Sequence, residues 1–93
     1  MQFNLDSRVV RSSEPICTEL DGTAVLLSVE QSGYFGLNDV GTAIWNETAE
    51  PITLTQLRDR ITARFDVQPA DCERDLLRFV ETLCERGFLL IDG

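Results

Sequence analysis

The spacing of apolar residues changes once along this 93-residue chain, and that change constrains the fold more than any other feature. Between residues 16 and 37, short alternating or wholly apolar runs are separated by glycine and polar turn residues, as in β-strands. Between residues 38 and 87, apolar residues recur every three or four positions, as in helices that pack one face on a core. The order of the two patterns predicts an α+β fold in which a sheet precedes helices.

Three strands are expected in the first segment. Asp21 and Gly22 are the residue types of a tight hairpin turn, and residues 30–33 end in a glycine that tolerates positive φ, which suits a second turn. Strands joined by such short turns are antiparallel neighbours. The predicted strands of this meander are residues 16–20, 24–29 and 34–37.

Three helices are expected in the second segment, each marked by terminal signals. Asn38 is a good N-cap for the first, and Thr53 with Gln56 three positions later forms a capping-box pattern for the second. Pro69 suits the first turn of the third helix, and Gly87 suits the residue after its C-cap. The predicted helices begin at residues 39, 54 and 69 and end near residues 48, 65 and 86, with residues 88–91 as an extended tail or small strand.

These elements predict a winged helix-turn-helix-like architecture, in which a three-stranded antiparallel sheet, the wing, comes first and three helices follow. The length suits one core, so residues 1–93 are expected to form a single domain. Residues 1–14 are more polar than the predicted strands and are expected to be poorly ordered.

The chain has 16 acidic and 8 basic residues, a formal net charge of −8. A surface of that sign repels phosphate backbones and anionic lipids, so neither nucleic acid nor a membrane is expected as a partner, and a neutral or basic peptide is favoured. The first residues lack the apolar core of a signal peptide, and no stretch approaches the roughly 20 apolar residues of a membrane span. We therefore expect a cytoplasmic protein.

The sequence contains no histidine, which removes the usual general base, zinc ligand and partner of a nucleophilic serine or cysteine. Asp71 and Asp75, one helical turn apart, are typical of a solvated helix face. Cys17, Cys72 and Cys84 are expected to be reduced, small core residues. No catalytic residue, metal ligand or cofactor is therefore predicted, and we do not expect an enzyme; a redox protein that uses Cys84 is the alternative of that kind.

Two segments of the sequence carry recognisable motifs. The first contains Tyr34, Phe35, Leu37, Asn38, Gly41, Ile44 and Trp45, and the second contains Asp75, Phe79, Leu83, Gly87, Phe88 and Leu89. The first resembles the strand, turn, Y-F-x-L-N and x-x-G-x-x-I-W pattern of the PqqD-like family, and the second resembles that family's D-x-x-x-F-x-x-x-L-x-x-x-G ending with two hydrophobic residues. Together they frame most of the chain from about residue 9 onward.

The resemblance implies a recognition element for ribosomally synthesised, post-translationally modified peptides (RiPPs). Such a domain binds the leader segment of a precursor peptide as a strand added beside its third strand, in a groove walled by the last helix. The resemblance also implies delivery of that peptide to a separate leader peptidase or other maturation enzyme. The first motif looks closer to stand-alone members of lasso peptide pathways than to members of the quinone pathway. The alternatives are a quinone-type (PQQ) or radical-enzyme peptide chaperone of the same family and a winged-helix transcriptional regulator.

The residues themselves favour the same mode of binding. The edge of a small sheet presents unpaired N–H and C=O groups, which an extended peptide can satisfy. Gly36 has no side chain on the face it shares with Tyr34, so a bound side chain can approach the backbone there. The predicted peptide-binding residues are Tyr34, Phe35, Gly36 and Leu37 on the third strand and Asp75, Arg78, Phe79 and Thr82 on the last helix.

Individual residues carry further expectations. Phe79 suits either the core or a pocket for a leader side chain, and Gly41 suits close packing of the first helix. Leu37→Lys and Phe35→Asp are expected to weaken binding without unfolding the domain. The residues at core spacing that are expected not to touch a ligand are Ile44, Trp45, Leu57, Ile61, Phe65 and Leu83.

Overall fold

The computed structural model describes residues 4–13, 15–20, 23–28 and 33–92. In those residues it combines short strands with three helices, which confirms the α+β class. The strands are β1 (Arg8–Arg11), β2 (Ile16–Leu20), β3 (Thr23–Ser28), β4 (Gly33–Leu37), β5 (Ile52–Thr53) and β6 (Leu89–Ile91). The helices are α1 (Asp39–Glu47), α2 (Leu54–Arg64) and α3 (Pro69–Glu85).

Strands β2, β3 and β4 form the antiparallel meander that the sequence predicts. In its register, Leu26 of β3 lies between Cys17 of β2 and Phe35 of β4. The turn predicted at residues 21–22, and residues 29–32 with the end of the second predicted strand and most of the second turn, lie outside the described residues. Within the described part of the chain β4 pairs with β3 alone, so its other edge carries no strand.

A second antiparallel sheet, in the order β5-β1-β6, is absent from the predicted elements except for its last strand. Strand β1 is at its centre, and Val9 lies opposite Ile52 of β5 and Ile91 of β6. The expectation of poor order over residues 1–14 does not hold for β1, because pairing with two distant segments satisfies its backbone hydrogen-bonding groups. The expected small strand after the third helix is confirmed as β6.

The helix boundaries follow the predicted signals closely. The Asn38 side chain caps α1 by accepting the Gly41 N–H at 2.8 Å, and Thr53 and Gln56 form both halves of the capping box of α2. Helix α3 begins at the predicted proline. Gly87 follows its C-cap with a φ of 78°, a conformation that costs a residue with a Cβ about 1 kcal/mol or more.

One apolar core joins both sheets to the helices. Helix α1 packs against β4 and α2, and α3 packs against α2 and β6. Each fully buried leucine in such a core contributes about 1.5–3 kcal/mol relative to an exposed one, so β4, α1 and α3 are held in a fixed arrangement. The largest fully buried side chains include Phe88, Leu26, Leu37, Leu54, Leu57, Ile61, Leu76, Leu83 and Leu89.

Candidate functional site

Strand β4 has two different faces, because side chains alternate along a strand. Phe35 and Leu37 point toward the core, and Leu37 is only 2% exposed. Tyr34 and Gly36 point to the opposite face, where Tyr34 is 74% exposed and a Cβ added at Gly36 would meet nothing within 4 Å. The strand is therefore anchored on one face and open on the other.

A cleft of about 470 Å³ lies between β4, the start of α1 and one flank of α3. Its lining is mainly apolar, with polar side chains from α3 and the N-cap of α1. The lining residues are Phe35 from β4, Asn38, Val40, Gly41 and Ile44 from the α1 region, Ile61 and Val67 from α2 and the loop after it, and Cys72, Asp75, Leu76, Arg78, Phe79 and Thr82 from α3.

Phe79 connects the three walls of the cleft. Its half-buried ring lies edge-on to that of Phe35, with the ring centroids 6.4 Å apart. Gly41 makes room for it on α1, since a Cβ at that position would lie 3.3 Å from the Phe79 ring. The ring therefore packs against the core and also lines the cleft.

The charged groups at this flank of α3 have different surroundings. Asp75 lies 3.5 Å from Arg74, both exposed. The Thr82 hydroxyl donates to the backbone carbonyl of Arg78 at 3.0 Å, whereas the Arg78 guanidinium has no partner among the described residues. The Arg86 guanidinium lies 5.1 Å from the centroid of the Phe35 ring, at the far end of the helix.

Five of the eight predicted peptide-binding residues line this cleft together. The five are Phe35, Asp75, Arg78, Phe79 and Thr82. Tyr34 and Gly36 do not, since they lie on the outer face of β4, and Leu37 does not, since its side chain is in the core. The four predicted helix residues and Phe35 therefore lie together in the cleft. The other three predicted strand residues lie on the outer face of β4 or in the core.

The packing of Leu37 and Phe35 argues against the expectation that their substitution leaves the fold intact. A lysine at position 37 would place an unpaired charge in the core, so we expect Leu37→Lys to destabilise the fold strongly. Phe35 packs edge-on against Phe79 and Phe88, each with a centroid distance of 6.4 Å, so Phe35→Asp would also cost stability. These substitutions cannot separate binding from folding.

The sequence did not single out several residues of the cleft. Ile44 and Ile61 were expected to be core only, and they are buried, but both also line the cleft. Val67 and Leu76 gave no signal, because an apolar residue at core spacing looks the same whether it faces a packed interior or a cleft. Gly41 was recognised as a packing residue but not as the position that accommodates Phe79.

Two of the three cysteines are buried in helix α3. Burial raises the pKa of the Cys72 thiol and that of the Cys84 thiol, opposite to the direction that a nucleophilic cysteine needs. Cys17 is exposed on β2, which corrects the expectation that all three are core residues. No group of three or more potential metal ligands occurs in the described residues, and no helix among them has the length and hydrophobicity to cross a membrane.

Comparison with known proteins gives matches over most of the chain. The family model for coenzyme PQQ synthesis protein D (PqqD) matches residues 23–89. The solved structure of TbiB1 in complex with the TbiA(beta) leader peptide is similar with a TM-score of 0.75 and 30% identity, covering 90% of this chain and 95% of that one. A lasso peptide synthetase B1 complexed with the leader peptide is similar with a TM-score of 0.76 and 26% identity, covering 88% and 96%. No curated protein matches.

Proposed function

The chain belongs to the PqqD family, and from this membership we propose that it is a RiPP recognition element that binds the leader segment of a precursor peptide as a strand added along β4. Both similar structures are complexes with leader peptides. The observation in this chain that carries the proposal is the edge of β4 beside an apolar cleft, which no strand of the described residues covers. Catalysis is not part of the proposed role.

Strand addition explains how the residues of the site would divide the work. The backbone groups of β4 would pair with the leader, which supplies affinity for any extended chain. Because side chains alternate, every second leader residue would point into the cleft toward Phe35 and Phe79. The others would lie on the outer face beside Tyr34 and Gly36, where nothing obstructs them. Leu37 would act only by anchoring the strand in the core.

The finer proposal is that the bound peptide is delivered to a separate leader peptidase or another maturation enzyme of a lasso peptide pathway. The similar structure of a lasso peptide synthetase B1 with its leader peptide supports this pathway. An exposed apolar row of Ile16, Leu27 and Tyr34 crosses the outer face of the meander, where an enzyme would meet both the domain and the outward side chains of the leader. A chaperone of the PQQ pathway is the alternative favoured by the description of the family model.

The test is a titration with fluorescently labelled synthetic leader segments. One comes from a lasso-type precursor encoded beside the gene, and a second comes from a PQQ-type precursor. Two variants put the same bulky side chain on neighbouring positions of α3: Thr82→Tyr fills the cleft, and Glu81→Tyr is exposed and outside it. Both keep the core intact, which thermal melting checks.

We expect the wild type to bind the lasso-type leader with a Kd in the micromolar range or below. Thr82→Tyr should weaken binding by about tenfold or more, because a side chain in a desolvated pocket typically carries over 1 kcal/mol, and Glu81→Tyr should bind like the wild type. Tighter binding of the PQQ-type leader would reassign the pathway. Absence of binding to either leader, or equal affinity in both variants, would refute leader binding at this cleft.

A further inference from the structure

Arg78 differs from every other arginine of the chain. All eight basic residues are arginines, and each of the other seven makes an ion pair, a hydrogen bond or a contact with an aromatic ring. The Arg78 guanidinium makes none with any described residue. In a chain with a net charge of −8, an arginine has many acidic groups available, so one that lines a cleft and pairs with none of the described residues stands out.

The surroundings of Arg78 keep this side chain available. Asp75, the nearest acidic residue of the cleft in sequence, is engaged by Arg74 at 3.5 Å. Glu81 and Glu85, the next acidic residues along α3, do not line the cleft. Arg86 follows Arg78 by about two turns, a rise of roughly 12 Å along the helix axis. Its guanidinium lies 5.1 Å from the centroid of the Phe35 ring.

Strand addition by itself does not determine the register in which the peptide binds. Backbone pairing along β4 holds an extended peptide but does not fix which of its residues lies where, and a slip by one residue exchanges the two faces of the added strand. A charge at a defined position on one wall fixes the register, because an unmatched or like-charged residue opposite it weakens binding.

Resting on the proposed leader binding, we propose that Arg78 is a specificity-determining residue that selects leaders with an aspartate or glutamate on the side facing α3. The carboxylate is held by the Arg78 guanidinium at the α3 wall of the cleft. The expectation from net charge, that a neutral or basic peptide is favoured, is thereby reversed at one position. The rest of the acidic surface still disfavours a leader that is acidic throughout.

The test is a double-mutant cycle with the labelled lasso-type leader. The protein variants are Arg78→Gln, Arg78→Glu and the control Arg60→Gln, which removes the same charge from an exposed arginine of α2 outside the cleft. Each acidic residue of the leader is changed in turn to its amide and to lysine. Thermal melting verifies that the variants are folded, and titrations at low and high salt measure the electrostatic part.

We expect Arg78→Gln to weaken binding by about five- to tenfold and Arg60→Gln by less than about twofold. One acidic leader position should lose affinity for the wild type when neutralised but not for Arg78→Gln, and its lysine variant should bind Arg78→Glu better than the wild type. A leader that binds the wild type but contains no acidic residue, or binds all variants equally, would overturn the role of Arg78 and leave leader binding intact. A wild type that does not bind the leader would overturn both.

Discussion

The two outer strands of the meander share a sheet but differ in what surrounds them. Both β2 and β4 pair with β3 alone within the described residues, so each presents an unpaired backbone edge. Strand β4 adjoins the cleft and sinks Leu37 into the core, whereas no residue of β2 lines the cleft. Ile16 of β2 is 56% exposed and Cys17 is exposed as well.

The difference shows that an unpaired edge is not sufficient for a peptide site. Edge hydrogen-bonding groups are present on both strands and would accept any extended chain. Only beside β4 does a helix flank provide side-chain pockets and charges that distinguish one peptide from another. The candidate site is therefore a property of the pair formed by β4 and α3, and variants and probes placed on β2 and β4 can test that asymmetry.

The largest difference is expected in stability. Leu37→Ala removes a buried side chain of β4 and should lower the free energy of unfolding by about 2–5 kcal/mol. Ile16→Ala, on the exposed strand β2, should lower it by less than about 1 kcal/mol. Urea denaturation monitored by Trp45 fluorescence measures both. Equal losses would mean that the two strands are anchored alike.

Amide hydrogen exchange should separate the two edges when the leader is bound. At a leader concentration of about 100 times Kd, amides of β4 that face the added strand should gain up to about a hundredfold protection. Alternate amides are affected, since the others already face β3. Amides of β2 should change far less. Protection concentrated on β2 would show that the peptide binds the other edge of the meander.

Thiol labelling at neutral pH should distinguish the exposed cysteine of β2 from the buried cysteines of α3. Cys17 on β2 is exposed, whereas Cys72 in the cleft wall and Cys84 are buried and have pKa values raised by burial. We expect Cys17 to react more than about tenfold faster, because a buried thiol requires local opening before it reacts. Mass spectrometry identifies the labelled residue, and Cys17→Ser serves as the control. Faster labelling of Cys84 would restore the redox alternative.

The smallest effect is expected at Gly36. An added Cβ meets nothing within 4 Å in the free protein, so Gly36→Ala should leave the melting temperature unchanged or slightly higher. A leader side chain on the outer face would meet that methyl group, and affinity should fall by about three- to fivefold. Thr18→Val, in the same row of the sheet on β2, is the matched control. Unchanged affinity for Gly36→Ala would show that the leader does not approach the backbone there.

The sequence predicted much of the fold, but it did not show which site residues face the cleft and which face the core. Asn38, Thr53 with Gln56, and Gly87 gave the helix ends because their hydrogen bonds or backbone conformations are local. Strand β1 was not predicted because its stability comes from pairing with segments more than 40 positions away. Leu37 was taken as part of the binding surface, since a short strand pattern does not reveal which face is covered.

The sequence by itself determined the features that depend on a few neighbouring residues: the meander, the three helices, the acidic charge and the absence of histidine. Only the tertiary structure decided the cleft, with Phe79 seated over Gly41 and Arg78 left without a partner among the described residues at its mouth. The reason is physical. Capping and alternation act over a few residues, whereas the distance between β4 and α3 is the outcome of packing the whole core.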